Sequence, residues 1–432
     1  MNIKMRTIDY KGKYTVDLPT VSLVFIVSLS FLLHLFTVVF SGYAYAISLF
    51  AFTIIYVISR KRIIGRWNTF TASWFISVIT LFLSFLHSQR SNGAFLDVIV
   101  FSCGFCLIVF CYENYNSYLS CLSVIKKIAT FFAVGVLLQR FLPSLYRVVI
   151  LFFPSAYRTY IISNDSSGFA SNTGYSAGYI IAGLLVVISE LSIQKYAWRK
   201  SIILLMILLI GLFLTQKRGP ILFLILTAMY CYLAPVKGYE KLKRYWRLFS
   251  FVLIAVIIIW AFRDTLSSVS FVGKILDSIA GAIDGKDITS GRTRLYIWAI
   301  ELFKRNPIVG IGWGRYRTTV VGNVTLFSEL EAHNIYFQLL AETGIIGFIV
   351  FVTTFIIFWN STRIALCDIV QRNSSLETEW RNLLYFSFAY QTYFLLYGLT
   401  GNPLYDPHFQ LMYIFSCMIM TGYSFSKALQ NV

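Results

Sequence analysis

Residues 291–347 form the longest polar interval between hydrophobic runs in this chain, and they contain its clearest candidate for acid–base chemistry, His333. A histidine beside water accepts protons near neutral pH, and a structural histidine at the end of an apolar run is the alternative interpretation. Metal binding is disfavoured because no second His, Cys or carboxylate lies three or four residues after His333. His333 is therefore a candidate proton acceptor, with the structural interpretation still open, and no metal or other cofactor is expected.

A glycine-rich stretch lies upstream of His333, at residues 310–314, with aromatic and arginine residues around it. It resembles a phosphate-binding loop, but no strand precedes it and no Lys-Ser or Lys-Thr pair follows. We interpret the glycines as a tight turn after Pro307. Trp313, Arg315 and Tyr336 could contact the faces of sugars, and an aromatic belt at a membrane interface is the alternative.

Arg218 lies in a hinge, residues 216–220, between two apolar runs. Gly219 and Pro220 indicate a shaped turn rather than a simple helix end. The arginine could extend to lipid headgroups, or it could serve a site on that surface. Both interpretations stay open on these residues alone.

The composition is that of a membrane protein, since 57% of the residues are hydrophobic and only 13% are charged. Apolar runs of about 20 residues recur along the chain, and such runs can cross the bilayer as helices. The first run follows a polar leader without a cleavage signal, so we expect it to be retained. We predict an all-α polytopic helical bundle, one integral-membrane domain over residues 1–432. Its spans, about twelve, are expected near residues 20–40, 43–59, 68–87, 95–112, 122–141, 173–193, 201–215, 219–235, 248–262, 344–360, 383–399 and 409–426.

The net charge of +18 is explained by the distribution of Lys and Arg between the loops. Basic residues concentrate on alternate loops, such as residues 60–66 and 237–247, which the positive-inside rule places in the cytoplasm. Both termini are then cytoplasmic, and the polar interval lies on the outer side. The charge therefore predicts orientation, and no nucleic acid partner is needed to explain it.

Two outer segments stand out in this topology. The larger, residues 263–343, lies between the ninth and tenth spans, and the smaller covers residues 142–172. The larger segment is long for a structureless loop. Within it, residues 292–305 have the spacing of an amphipathic helix that Pro307 would end.

Several short motifs follow one another in a distinctive order. They are Thr215-x-x-Arg218-Gly219, Ser290-Gly291-Arg292-Thr293, Asn306-Pro307-x-x-Gly310-x-Gly312, and His333-Asn334 followed by Glu342-x-Gly344-x-x-Gly347. With the multi-span pattern, they resemble the bacterial O-antigen polymerase and O-antigen ligase superfamily. The motifs cover about residues 212–350.

The resemblance implies a metal-independent, GT-C-like membrane glycosyltransferase that uses polyprenyl-diphosphate-linked sugars. It places the catalytic residues at Arg218, Arg292 and His333, on the outer face of the bacterial cytoplasmic (inner) membrane. This mapping fits their chemistry, because arginine keeps its charge and binds phosphate oxygens, while histidine accepts a proton. The predicted substrate-binding residues are Arg294, Trp313, Arg315, Asn334, Tyr336 and Glu342.

The favoured function is polymerisation of undecaprenyl-diphosphate-linked repeat units into O-antigen, capsule or exopolysaccharide. The alternative is an O-antigen ligase that transfers lipid-linked polysaccharide to lipid A core. A flippase or other transporter is less favoured, since the span centres contain almost no charged side chains. Expected partners are lipid-linked donor and acceptor glycans and membrane lipids, with a chain-length regulator and a flippase as further candidates.

Overall fold

The computed structural model describes residues 17–39, 42–59, 67–88, 92–110, 115–163, 166–192, 198–261, 273, 292–321, 324–325, 331–372 and 375–430. The polar leader and most of the predicted outer segment before residue 292 lie outside these residues. The statements that follow concern the described part of the chain.

The described structure is helical almost throughout. The helices of the first half are α1 Leu18–Val39, α2 Gly42–Ile58, α3 Thr69–His87, α4 Asn92–Val109, α5 Tyr115–Phe141, α6 Pro143–Val149, α7 Ser155–Ser163 and α8 Thr173–Leu191. Those of the second half are α9 Trp198–Leu214, α10 Arg218–Leu233, α11 Gly238–Ala261, α12 Arg292–Arg305, α13 Ile335–Arg372, α14 Ser375–Tyr397 and α15 Pro407–Gln430. A two-residue antiparallel pair, β1 Val320–Val321 with β2 Val324–Thr325, was not expected from the sequence.

The helices confirm the all-α class, and a helix coincides with each predicted apolar run. Within the described residues, four helices are long and apolar enough to cross a membrane: Thr69–His87, Tyr115–Phe141, Thr173–Leu191 and Ile335–Gln371. Several others are shorter and apolar. The total of about twelve spans stays a prediction.

The bundle is built around close contacts between α5, α8 and α9. Small residues allow this approach, since a Cβ placed on Gly183 of α8 would lie 2.2 Å from the Ala129 Cβ of α5. Helix α13 packs along α3, and α14 packs along α15. These pairs bring the C-terminal ends of α3 and α14 together with the N-terminal ends of α13 and α15.

Helix α12 confirms the amphipathic helix predicted at residues 292–305. Its apolar side buries Leu295, Ala299 and Leu302, while its other side is largely exposed. A small apolar core joins this side to the start of α13. Helix α12 is therefore fixed against the segment that carries His333.

Helix α13 is kinked at Gly344, where φ is +63° and the backbone leaves helical geometry. The predicted span at residues 344–360 corresponds to the part after this kink. The residues before the kink, 335–343, form an additional helical segment that faces the glycine-rich loop. Glycine is needed at the kink because residues other than glycine rarely adopt this φ.

Candidate functional site

The 307–314 loop and the residues around the α13 kink form one hydrogen-bonded unit. Ile311 N–H donates to the Ala341 carbonyl at 3.0 Å, and Gly312 N–H donates to the Glu342 carbonyl at 2.9 Å. In the other direction, Ile345 N–H donates to the Pro307 carbonyl at 2.9 Å. The two glycine motifs singled out from the sequence are thus two sides of a single contact.

Gly310 shows why this contact requires glycine. Its φ is +72°, and a Cβ on it would lie 2.3 Å from the carbonyl carbon of Glu342. The backbones approach too closely for any side chain. The glycines therefore provide a tight turn, as predicted, rather than a nucleotide loop.

Glu342 and Trp313 are buried inside this unit, each with 0% of its surface exposed. A carboxylate oxygen of Glu342 accepts the Tyr316 N–H at 3.0 Å. Trp313 donates its indole N–H to Asp97 Oδ2 at 2.9 Å and stacks on Tyr405. The prediction that Glu342 and Trp313 contact substrate does not fit this burial, because both side chains are enclosed by protein and hold the loop in place.

Arg292, the first residue of α12, reaches the loop that follows α14. Its Nη1 donates to the Thr400 carbonyl at 2.7 Å. Thr400 also faces the hinge before α10, since a Cβ on Gly219 would lie 3.6 Å from Thr400 Oγ1. The structure therefore places both Arg292 and the hinge that carries Arg218 next to Thr400.

His333 lies directly before α13, where its backbone has a left-handed φ of +52°. Its side chain is half-buried. Burial, together with the positive charges of Arg292 and Lys217, lowers the His333 pKa to about 4. His333, Arg292 and Lys217 therefore lie within electrostatic range of one another, and the imidazole is neutral at neutral pH.

Lys217 is a further cation near His333 that the sequence motifs did not single out. Although its side chain is largely exposed, partial desolvation lowers its pKa, and the charge of Arg292 contributes to the same shift. Its position next to Arg218 in the hinge was the only signal in the sequence. Arg218 itself is exposed and begins α10.

Asn334 and Tyr336 follow His333 in the chain, and their polar atoms bind other parts of the protein. The Asn334 Oδ1 accepts the N–H groups of Tyr336 and Phe337, at 2.9 and 3.1 Å, and so caps α13. The Tyr336 hydroxyl donates to the Leu395 carbonyl at 2.8 Å. These contacts show both residues fixing the start of α13 against α14.

Arg294 and Arg315 are placed less centrally. Arg294 is exposed, and its guanidinium lies 5.9 Å from the ring centre of Trp298 on the same helix. Arg315 is half-buried, and its carbonyl accepts the Thr318 N–H at 3.1 Å. Substrate binding by these two arginines stays a prediction.

Among the residues that the structure describes, no group of three or more His, Cys, Asp or Glu side chains could hold a metal ion. The positive charges near His333 are those of the Arg292 and Lys217 side chains. They can bind an anion directly, because Lys and Arg side chains offer charge-assisted hydrogen bonds to phosphate oxygens.

An all-helical chain with several apolar helices of membrane-spanning length is a multi-pass membrane protein. Residues 203–352 match the sequence model of a family described as O-antigen ligase. Over these residues the match supports the expected resemblance to the O-antigen polymerase and ligase superfamily, and the matched residues include Arg218, Arg292 and His333. No curated protein matches the chain.

Members of this family are membrane ligases and polymerases of glycosyltransferase type that act on lipid-linked glycans. The match therefore supports an enzyme of this broad kind, with lipid-linked glycans and membrane lipids as its partners. The matched residues, 203–352, include Lys217, Arg292 and His333, which lie within electrostatic range of one another.

Gly310→Ala should destabilise the protein strongly, because the new Cβ would overlap the Glu342 backbone. We expect a loss of about 3 kcal/mol or more, seen as a lower Tm and lower folded yield in detergent. Gly238→Ala is the matched control: its φ is +58°, but no atom lies within 4 Å of the added Cβ. It should cost only about 1–2 kcal/mol. Equal losses for the two variants would contradict the close contact at Gly310.

The low pKa of His333 should be visible in its reaction with diethyl pyrocarbonate, which modifies neutral imidazole. The folded pKa lies below the ordinary value of about 6.5, so His333 stays neutral as the pH falls from 8 to 5 and its modification rate should remain constant. Lys217→Met removes a positive charge, so it should raise the His333 pKa and make the rate fall at a higher pH. Mass spectrometry of the His333 peptide gives the rates. A wild-type rate that halves near pH 6.5 would contradict the electrostatic arrangement.

Proposed function

We propose that this protein polymerises undecaprenyl-diphosphate-linked repeat units on the outer face of the bacterial cytoplasmic membrane. The reaction moves the growing glycan from its lipid diphosphate to a sugar hydroxyl of the next lipid-linked unit. The observation that carries the proposal is the placement of Arg292, Lys217 and His333 within electrostatic range of one another, beside the hinge of Arg218.

In the proposed reaction, Arg218 and Arg292 bind the donor diphosphate, and Lys217 adds positive charge. The acceptor hydroxyl oxygen attacks the anomeric carbon, and the bond from that carbon to the diphosphate oxygen breaks. The bonding electrons pass to the diphosphate, whose growing negative charge the cations stabilise. The proton of the acceptor hydroxyl goes to the neutral imidazole of His333.

The low pKa of His333 belongs to the site without substrate, where Arg292 and Lys217 disfavour a third positive charge. A bound diphosphate brings negative charge and offsets both cations. The His333 pKa should then rise, since a nearby negative charge favours the protonated imidazole. Donor binding would thus make His333 a stronger base at the moment it is needed.

A second candidate function is ligation of lipid-linked polysaccharide to lipid A core. The observation that favours it is the description of the matched family, O-antigen ligase. The same cations and histidine would serve both reactions, since both break the same bond to a lipid diphosphate. A flippase and a chain-length regulator are the proposed partners of the polymerase.

Substitution of the three proposed catalytic residues should stop chain growth in protein that still inserts into the membrane. His333→Ala should lower the transfer rate about 10²–10⁴-fold, the usual contribution of a general base. Arg292→Ala should lower it about 10²–10³-fold, and Arg218→Ala should also impair transfer. Arg292→Lys should recover only part of the rate, because lysine supplies charge without the planar fork. Transfer is measured with lipid-linked repeat unit and purified protein in bilayers.

Arg305→Ala is the control, since it removes the same charge from the exposed other end of α12. It should transfer at the wild-type rate. A His333→Ala protein that makes polymer of near-normal length would contradict the proposed base.

The glycan of a deletion strain separates the two functions. Loss of a polymerase should leave single repeat units on the final acceptor, as seen on a gel. Loss of a ligase should instead leave polymer on the lipid carrier, recovered by lipid extraction. Precursors held on the cytoplasmic side would point to a flippase and would contradict both functions.

A further inference from the structure

The loop of residues 398–402, between α14 and α15, contacts the elements that carry all three proposed catalytic residues. The Thr400 carbonyl accepts a hydrogen bond from Arg292, and Thr400 Oγ1 faces Gly219 of the hinge. The Gly398 carbonyl accepts the Ile335 N–H at 2.9 Å, at the start of α13. Two elements that are far apart in the sequence are thus hydrogen-bonded to one short loop, and the hinge lies beside the same loop.

Gln338 is a fully buried polar side chain, 0% exposed, that joins this loop to the backbone before His333. Its Oε1 accepts the Ala332 N–H at 3.0 Å and the Asn402 Nδ2 at 2.6 Å. Ala332 directly precedes His333, and Asn402 lies two residues after Thr400. One side-chain oxygen therefore links the position of His333 to the loop that binds Arg292.

The other side of His333 is held by Asn334. Its Nδ2 donates to the Leu399 carbonyl at 3.0 Å. Between these two attachments, His333 has a left-handed φ of +52°, which is uncommon for a residue other than glycine. The hydrogen bond to Gln338 is the restraint on the N-terminal side.

We propose that Gln338 is a positioning residue for glycan transfer: its side-chain oxygen sets the place of the His333 imidazole relative to the Arg292 guanidinium. This inference rests on the proposed function, in which His333 is the base and Arg292 binds the diphosphate. A base must lie within about 3 Å of the atom that carries the proton it takes. A displacement of about 1 Å can cost about 10²-fold in rate.

The test compares two substitutions of Gln338, one that removes the side-chain oxygen acceptor and one that keeps it. Gln338→Leu removes the acceptor at similar volume, and Gln338→Glu keeps an oxygen for both N–H donors. With undecaprenyl-diphosphate-linked repeat unit as substrate, Gln338→Leu should lower kcat about 10²-fold and leave the donor KM within about threefold of wild type. Gln338→Glu should retain most of the wild-type kcat.

Gln391→Leu is the matched control. Gln391 is also 0% exposed, and its Nε2 donates to Thr362 and Ser387 within the bundle. It should keep the wild-type kcat once folded protein is purified. If Gln338→Leu does not fold, Asn402→Ala replaces it, since that change removes one of the two donors to the same oxygen, and the same fall in kcat is expected.

His333→Ala, assayed beside these variants, separates the two proposals. If His333→Ala is inactive while Gln338→Leu, or Asn402→Ala in its place, keeps the wild-type kcat, the positioning inference is overturned and the proposed function stands. An equal loss of kcat in Gln391→Leu would also overturn it, because the effect would then be general to buried glutamines. Wild-type turnover by His333→Ala would overturn the proposed function and this inference together.

Discussion

The hydrogen bonds between the 307–314 loop and the residues around the α13 kink are the contacts on which the candidate site depends. Buried backbone N–H and carbonyl groups are costly to leave unpaired, and here each backbone supplies the partners of the other. The pairing needs glycine at positions 310 and 344, where the chains meet too closely for a side chain. Once this contact forms, α12 is fixed against α13, with Arg292 at its first position.

The second constraint is electrostatic. Arg292 and Lys217 lie near a histidine that burial and these charges keep neutral. Such an arrangement is costly, since like charges repel. A bound diphosphate would offset this repulsion. These positive charges therefore favour the binding of an anion rather than the folding of the protein, which agrees with the proposed role of the site.

Much of the fold could be predicted from the sequence because membrane helices are set by local composition. Each long apolar run became a helix, and the spacing at residues 292–305 gave the helix that ends before Pro307. The chain order of the motifs also indicated the superfamily that the match to residues 203–352 supports. The structural roles of Trp313 and Glu342 could not be predicted from local composition. A tryptophan or glutamate in a polar segment is expected in water, and only the packing of the loop on α3, α4 and α13 encloses them.

The sequence by itself therefore determined the helices, the glycine turns and the residue types that can bind phosphate or accept a proton. These follow from local rules, namely hydropathy, backbone freedom and side-chain chemistry. Only the tertiary structure decided which of these residues meet, because Lys217, Arg292, His333 and Thr400 come from four separate segments. It also decided that Gln338 binds two of these segments through one oxygen. No local rule contains that information, since a buried glutamine reveals its partners only when the helices have packed.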